Sequence, residues 1–275
     1  MCNTVCPANV PIGEAILAAR AAFGEQLGRP WWRKLVFRHV LISAERLGWA
    51  MWPARIYQRL KLPSLVRPLL GLLPKRLAKL QHMEMLLPPL PSYSLHQVLE
   101  AVTPAQGERR YRVGFFLGCM MSQIFAEESR ATVNVLTRAG CEVVTPKGQL
   151  CCGAPQDDQG EREQARRFAR ANIELFEGIG DVDAIVTDCA ACSGMLKEYP
   201  ELLHDDPEFA GRARVFGGKI KDIYEWYDEI GLAVEIDDAT GIPTHDPSTL
   251  ETNAPGVFIA GVLAAGNNAN KIFIE

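Results

Sequence analysis

The chain has 275 residues, is 48% hydrophobic and carries a formal net charge of −4. That is enough apolar material to bury a core in one or two domains, which excludes a miniprotein dependent on disulfide staples. The first twenty residues lack a basic stretch followed by an apolar one, so no secretory signal is expected and the reducing cytoplasm is the expected compartment.

The charge is unevenly spread. Between Pro30 and Met83 eleven Lys and Arg face the single acid Glu45, giving +10, and residues 1–29 balance at zero, so residues 84–275 carry −14. An acidic globular body with a basic arm is expected. Such an arm docks on acidic proteins or anionic membrane surfaces, and a nucleic-acid partner is not expected.

Residues 1–10 contain Cys2-Asn-Thr-Val-Cys6-Pro7, and C-x3-C-P is how a bacterial ferredoxin motif ends. The two upstream cysteines of that motif would precede Met1, so Cys2 and Cys6 read as the remnant of a cluster site. Residues 11–109 form a basic helical spacer and connector. Ile16, Leu17, Ala21 and Phe23 begin one amphipathic segment, and Trp32, Leu35, Val36, His39, Ile42 and Ser43 continue in another. Pro53, Pro63, Pro68, Pro74 and Pro88 are expected to cut this region into short lengths. The uncharged stretch between Arg46 and Arg55 holds eight residues, far short of the roughly 20 that span a bilayer. Trp31, Trp32, Trp49 and Trp52 would lie at any peripheral membrane or partner interface. The inner face of the membrane is the alternative address. Pro88 to Arg109 reads as a connector.

In residues 110–232 the period changes. Tyr111–Leu117, Cys141–Thr145, Asp183–Thr187 and Ala213–Phe216 read as strands, separated by helices around Glu127–Ala139 and Glu161–Phe176. The alternation predicts an α/β fold, a small parallel sheet with flanking helices, preceded by the helical region. Five cysteines follow these strands: Cys119 after the first, Cys151 and Cys152 after the second, Cys189 and Cys192 after the third. They make the pattern C-x31-C-C-G-x35-C-x2-C at the carboxyl edge, where open α/β sheets collect ligands. Cysteines so grouped in a reducing compartment bind metal or do chemistry rather than cross-link. Five thiolates are one more than tetrahedral zinc or a cubane iron-sulfur cluster uses. Iron-sulfur ranks first, zinc second, and a dithiol redox pair at Cys189 and Cys192 third. Gly118, Gly153 and Gly194 flank the thiolates and would let backbone N–H groups approach a sulfide-rich cluster. Cys141 has no partner at metal spacing and reads as a core thiol. His39, His82, His96, His204 and His245 lie outside the pattern, and no residue is assigned as a general acid or base.

Gly118-Cys119, Cys151-Cys152-Gly153 and Cys189-Ala-Ala-Cys192, with Leu117-Gly-Cys-Met and Lys197-Glu-Tyr-Pro-Glu-Leu-Leu around them, resemble the cysteine-rich CCG domain. That domain is found in the iron-sulfur subunit of glycolate oxidase, in related lactate-utilisation and anaerobic glycerol-3-phosphate dehydrogenase subunits, and in heterodisulfide reductase. The resemblance covers roughly residues 1–231. It implies a [4Fe-4S] cluster, of the noncubane kind that heterodisulfide reductase holds, on Cys119, Cys151, Cys152, Cys189 and Cys192. It further implies an electron-transfer role beside a flavoprotein dehydrogenase subunit, in oxidation of a 2-hydroxy acid such as glycolate or lactate, with electrons passing toward quinone. Here there is one CCG domain, and only the last two ferredoxin cysteines. The competing expectations are a truncated or fused zinc-binding or partner-docking module, and a thiol-disulfide reductase component.

Residues 233–275 are similar to the C-terminal flavin-contacting segment of thioredoxin-reductase-like flavoproteins of the bacillithiol disulfide reductase type. The likeness is carried by Thr240-Gly-Ile-Pro, by Leu250 to Gly261 and by Ala265-Gly-Asn-Asn. A strand at Gly256–Ala260 would turn into a helix N-terminus, with Gly261 and Gly266 approaching a phosphate or flavin ring. Val262 replaces the acid usual there, and no G-x-G-x-x-G precedes it, so FAD binding by this chain alone is not expected.

Overall fold

The structure is a computed structural model that describes residues 35–66 and 88–231, together with residues 15, 16, 19, 20, 22, 31, 82, 84, 236, 237, 242–244, 246 and 251. Cys2, Cys6, Gly261 and Gly266 lie outside the described residues, as does most of the flavoprotein-like segment.

A π-helical turn at Val36–Val40 leads to α1 (Ala44–Arg59), which Ser43 caps by accepting a hydrogen bond from the Arg46 N–H. Ser43 was expected to continue a helix. Its backbone is instead extended and forms an antiparallel bridge with Leu150. Pro53, expected to interrupt, sits inside α1. Proline removes one i to i−4 hydrogen bond; here Pro53 and Trp49, whose carbonyl loses that donor, are both exposed.

The segment read as a connector holds α2 (Leu95–Val98) and an edge strand, β1 (Val102–Thr103). There follow β2 (Tyr111–Phe115), α3 (Met121–Ile124), α4 (Ala126–Arg138), β3 (Cys141–Val144), α5 (Ala154–Asp158), α6 (Arg162–Glu177) and β4 (Ala184–Thr187). Next come α7 (Ala190–Lys197), α8 (Tyr199–Leu202), α9 (Ala210–Lys219), β5 (Ile220–Asp222) and α10 (Ile223–Glu229), then two short strands, β6 (Ile236–Asp237) and β7 (Ile242–Pro243), which pair with each other.

The main sheet runs β1-β3-β2-β4-β5, parallel throughout except for β1 against β3. The expected fourth strand at Ala213–Phe216 is part of α9, and the fourth parallel strand is β5. Ala213 and Phe216, three apart, are buried, while Val215 between them is 66% exposed; that is a helical face, not a strand's alternation.

The two faces of the sheet bury separate cores. Val113, Phe115, Val143, Ala184 and Val186 pack with Leu136 of α4 and Trp226 of α10 on one side. On the other, Phe116, Ile185 and Ile220 meet α6, α7 and α9. Helix α6 offers Ala165, Phe168, Ala169, Asn172, Ile173 and Phe176 to that core, a stripe at helical spacing with one polar member. Gly114 of β2 lets this packing close, since a Cβ there would lie 3.0 Å from the Phe176 ring. At the amino edge Arg112 bonds Glu142 and the carbonyls of Ile179 and Asp181, tying strands and loops together. The carboxyl edge carries the cysteines.

Candidate metal centre

Cys119 follows β2, Cys151 and Cys152 follow β3, and Cys189 and Cys192 follow β4, at the start of α7. Because β2 lies between β3 and β4, the three loops meet where the chain's path reverses across the sheet, the crevice in which open α/β folds bind ligands. The structure brings all five together. Cys119 Sγ lies 3.8 Å from Cys151 Sγ, and side-chain contacts continue from Cys151 to Cys152, from Cys152 to Cys192 and from Cys192 to Cys189. Cys189 is half-buried and the other four are buried. Cys141 is buried in the opposite core, as a structural thiol.

Nearby backbone N–H groups lower the pKa of four of the thiols: Met120 that of Cys119, Gly153 that of Cys151, Ala154 that of Cys152, and both Ala191 and Cys192 that of Cys189. Donors in that arrangement hold negative charge on sulfur. The thiols differ accordingly. Contacts from Cys151 and Cys192 hold Cys152 below the usual thiol range. Contact from Cys192, with the two N–H groups at the α7 N-terminus, brings Cys189 down to about 6. Cys151, which its bond from Cys119 lowers, is pushed up to about 12 by Cys152 and by burial. Cys119 and Cys192, the donors to these neighbours, are raised.

Glycine matters unequally at two positions here. A Cβ on Gly118 would meet the Met121 side chain at 3.2 Å and lie in ordinary contact with Cys192 Sγ at 3.4 Å, at the border of the sulfur cradle. Gly153 has φ 98° and would press a Cβ within 3.3 Å of Ala165 on α6; its left-handed backbone turns the Cys-Cys pair into α5. Gly194 faces open space and is not needed for room. The donor set, its N–H groups and the Gly118 cradle fit a thiolate-bound metal group. Among the described residues no three His, Cys, Asp or Glu are grouped to hold a single metal ion. The sulfurs run as a chain rather than around a point.

Sequence reasoning missed the residues behind these loops. Asn172, in the apolar stripe of α6, accepts the Leu150 N–H at 3.0 Å and donates to the Cys151 carbonyl at 3.1 Å. Tyr199, fully buried and stacked on Phe216, donates its hydroxyl to the Cys152 carbonyl at 2.8 Å and accepts from Asn172 at 3.2 Å. Burial holds that phenol well above its usual pKa. Gln156 accepts from Cys151 Sγ and donates to the Leu41 carbonyl. A polar side chain inside an apolar helical stripe, as at Asn172, is the signal that was available.

The arm is no detached spacer. Ile42 accepts the Cys151 N–H at 2.7 Å, and Val40, Leu41, Ile42, Ala44 and Met51 pack against the core containing the cysteines. Gln123 of α3 donates to the Ala44 carbonyl and accepts from Arg55, each at 2.7 Å. This leaves Trp49 and Trp52 on the outer face, 71% and 58% exposed. No helix among the described residues is long and apolar enough to cross a membrane.

Comparison with known proteins agrees with this geometry. Residues 113–197 match the family described as a cysteine-rich domain, CCG, and residues 28–87 match the linker region of the glycolate oxidase iron-sulfur subunit. The chain is 36% identical over 227 residues to the "Probable glycolate oxidase iron-sulfur subunit" of Bacillus subtilis, covering 80% of this chain and 50% of that protein. It is 33% identical over 151 residues to lactate utilization protein A of the same organism, covering 55% of this chain and 60% of that protein. The chain thus spans 50% to 60% of the length of these relatives. No solved structure matches. Together the cysteine-edged parallel sheet and these matches identify the chain as carrying a CCG cysteine-rich domain behind a linker of the glycolate oxidase iron-sulfur subunit type.

Proposed function

We propose that the chain is an iron-sulfur electron-transfer component of a flavin-linked oxidoreductase acting on a 2-hydroxy acid such as glycolate or lactate. The observation that carries this reading is the continuous five-thiol network on the carboxyl edge of the sheet. Cys119, Cys151, Cys152, Cys189 and Cys192 would hold a [4Fe-4S] cluster of noncubane type. When bound, the cluster supplies one-electron redox capacity. The chain's own residues do the rest: the N–H groups of Met120, Gly153, Ala154 and Cys192 disperse charge on sulfur, and Ile42, Leu41 and Met51 keep water from the sulfurs. No side chain is required to move a proton.

The identities of the relatives support a hydroxy-acid context. The partner is a flavoprotein dehydrogenase subunit, and the basic arm with Trp49 and Trp52 is the surface offered to that partner or to a membrane. Residues 11–109 serve as the arm and residues 110–232 as the cluster domain. The test is to combine the chain with a flavoprotein dehydrogenase subunit for glycolate or lactate, purify the pair without oxygen, and add the hydroxy acid. Substrate-dependent bleaching of an iron-sulfur absorbance supports the reading. Bound zinc without sulfide, or a cluster that no hydroxy acid reduces through any such partner, overturns it.

A further inference from the structure

The Cys151-Cys152 pair presents its peptides in one orientation. Their carbonyls are held by Asn172 Nδ2 at 3.1 Å and Tyr199 Oη at 2.8 Å, and the N–H groups that follow the pair, of Gly153 and Ala154, lie near enough to lower the Cys151 and Cys152 pKa values. The two clamping side chains come from different helices, α6 and α8, and are bonded to each other at 3.2 Å. Asn172 and Tyr199 are both 0% exposed, so water cannot replace either. Asn172 also accepts the Leu150 N–H, using its amide as a neighbouring strand would use a peptide.

From this geometry we infer that Tyr199 is a positioning residue that fixes the Cys152 peptide plane and thereby the Gly153 N–H, a donor that sets the potential and retention of a thiolate-bound cluster, and that Asn172 acts through Tyr199 by donating to its hydroxyl. The inference rests on the iron-sulfur reading of the cysteine set. The physical link is direct. A peptide is planar, so a carbonyl held on one side holds the following N–H on the other: the Cys151 carbonyl shares its plane with the Cys152 N–H, and the Cys152 carbonyl with the Gly153 N–H. Hydrogen bonds to cluster sulfurs are among the levers that set potential. Releasing the Cys152 carbonyl therefore loosens the Gly153 donor to Cys151.

The test compares Tyr199→Phe and Asn172→Ser with the unaltered chain and with Tyr111→Phe, which removes a hydroxyl from the opposite core. All are purified without oxygen and assayed for iron, acid-labile sulfide, far-ultraviolet circular dichroism and midpoint potential. Tyr199→Phe keeps the ring's packing, so it is expected to retain its dichroism and iron content while its midpoint shifts to lower potential and iron loss to a chelator quickens several-fold. Asn172→Ser, which leaves the Tyr199 hydroxyl without its donor, is expected to shift in the same direction by a smaller amount, and Tyr111→Phe not at all. A Tyr199→Phe protein with unaltered potential and iron loss overturns the inference even if Asn172→Ser fails to fold. A shift equal in Tyr111→Phe overturns it too. An unaltered chain without iron and sulfide overturns instead the iron-sulfur reading beneath it, and the two failures are distinct.

Discussion

At the residue scale, the five thiols are chemically unequal, and each inequality is measurable. Cys189 combines a pKa of about 6 with partial exposure, whereas Cys152, also depressed, is buried. In the metal-free, reduced chain near pH 7, Cys189 is therefore a thiolate within reach of an alkylating agent. Among the described cysteines, iodoacetamide is expected to label it first, with a rate that falls as the pH drops through about 6, and peptide mass mapping reads the site. First labelling at Cys141 or Cys119 would contradict the charge distribution described. Gly153 makes a second residue-scale case. Gly153→Ala must hold a Cβ at φ 98° and 3.3 Å from Ala165. The expected loss is roughly 1 to 3 kcal/mol in urea unfolding, and an unchanged midpoint would show that the turn relaxes.

At the scale of elements, Gln123 is one of the side chains that fasten helix α1 to the sheet unit. Gln123 bridges the Ala44 carbonyl and the Arg55 guanidinium, and α1 approaches so closely that a Cβ on Gly48 would lie 3.2 Å from it. Gln123→Leu removes a hydrogen bond from each partner, at about 0.5 to 1.5 kcal/mol per bond, while Arg55 keeps its bonds to the Pro91 and Tyr93 carbonyls. Hydrogen exchange in α1 should quicken while α6 stays protected. A second junction, between α6 and the loop before α9, is ionic. Bonds from Arg170 and Arg166 hold Asp206 and Asp205 below the usual carboxylate range. Their folded pKa values are depressed, so this stabilisation is present above the unfolded value of about 3.9 and is lost as pH falls through the folded values. Asp206→Asn is expected to flatten the acid limb of a urea-midpoint profile; an identical limb would show that the pair contributes nothing. The strands β2, β3 and β4 were legible because β-branched and aromatic runs end at glycine or cysteine turns. Ala213–Phe216 was misread because four residues cannot separate a period of 2 from one of 3.6, and Pro53 because exposure on one helix side spares its cost.

At the scale of the whole molecule, the site exists because distant segments meet. Cys119, Cys151 and Cys189 were placeable from sequence, since each follows a strand and parallel strands share a carboxyl edge. The covering arm was not, because the Ile42 to Cys151 hydrogen bond and the Gln156 to Leu41 bond join positions over a hundred residues apart that carry no spacing signal. Nor was Tyr199, an aromatic in a core whose hydroxyl partners, the Cys152 carbonyl and Asn172, leave no mark in the sequence around it. What the five thiols hold decides the function. The direct measurement is iron and acid-labile sulfide per chain after anaerobic purification, alongside single Cys→Ser variants at all five positions and at Cys141. About four irons with matching sulfide, diminished in each of the five variants and intact in Cys141→Ser, is the predicted result. One zinc with no sulfide, or a full iron complement in any two of the five variants, would contradict it.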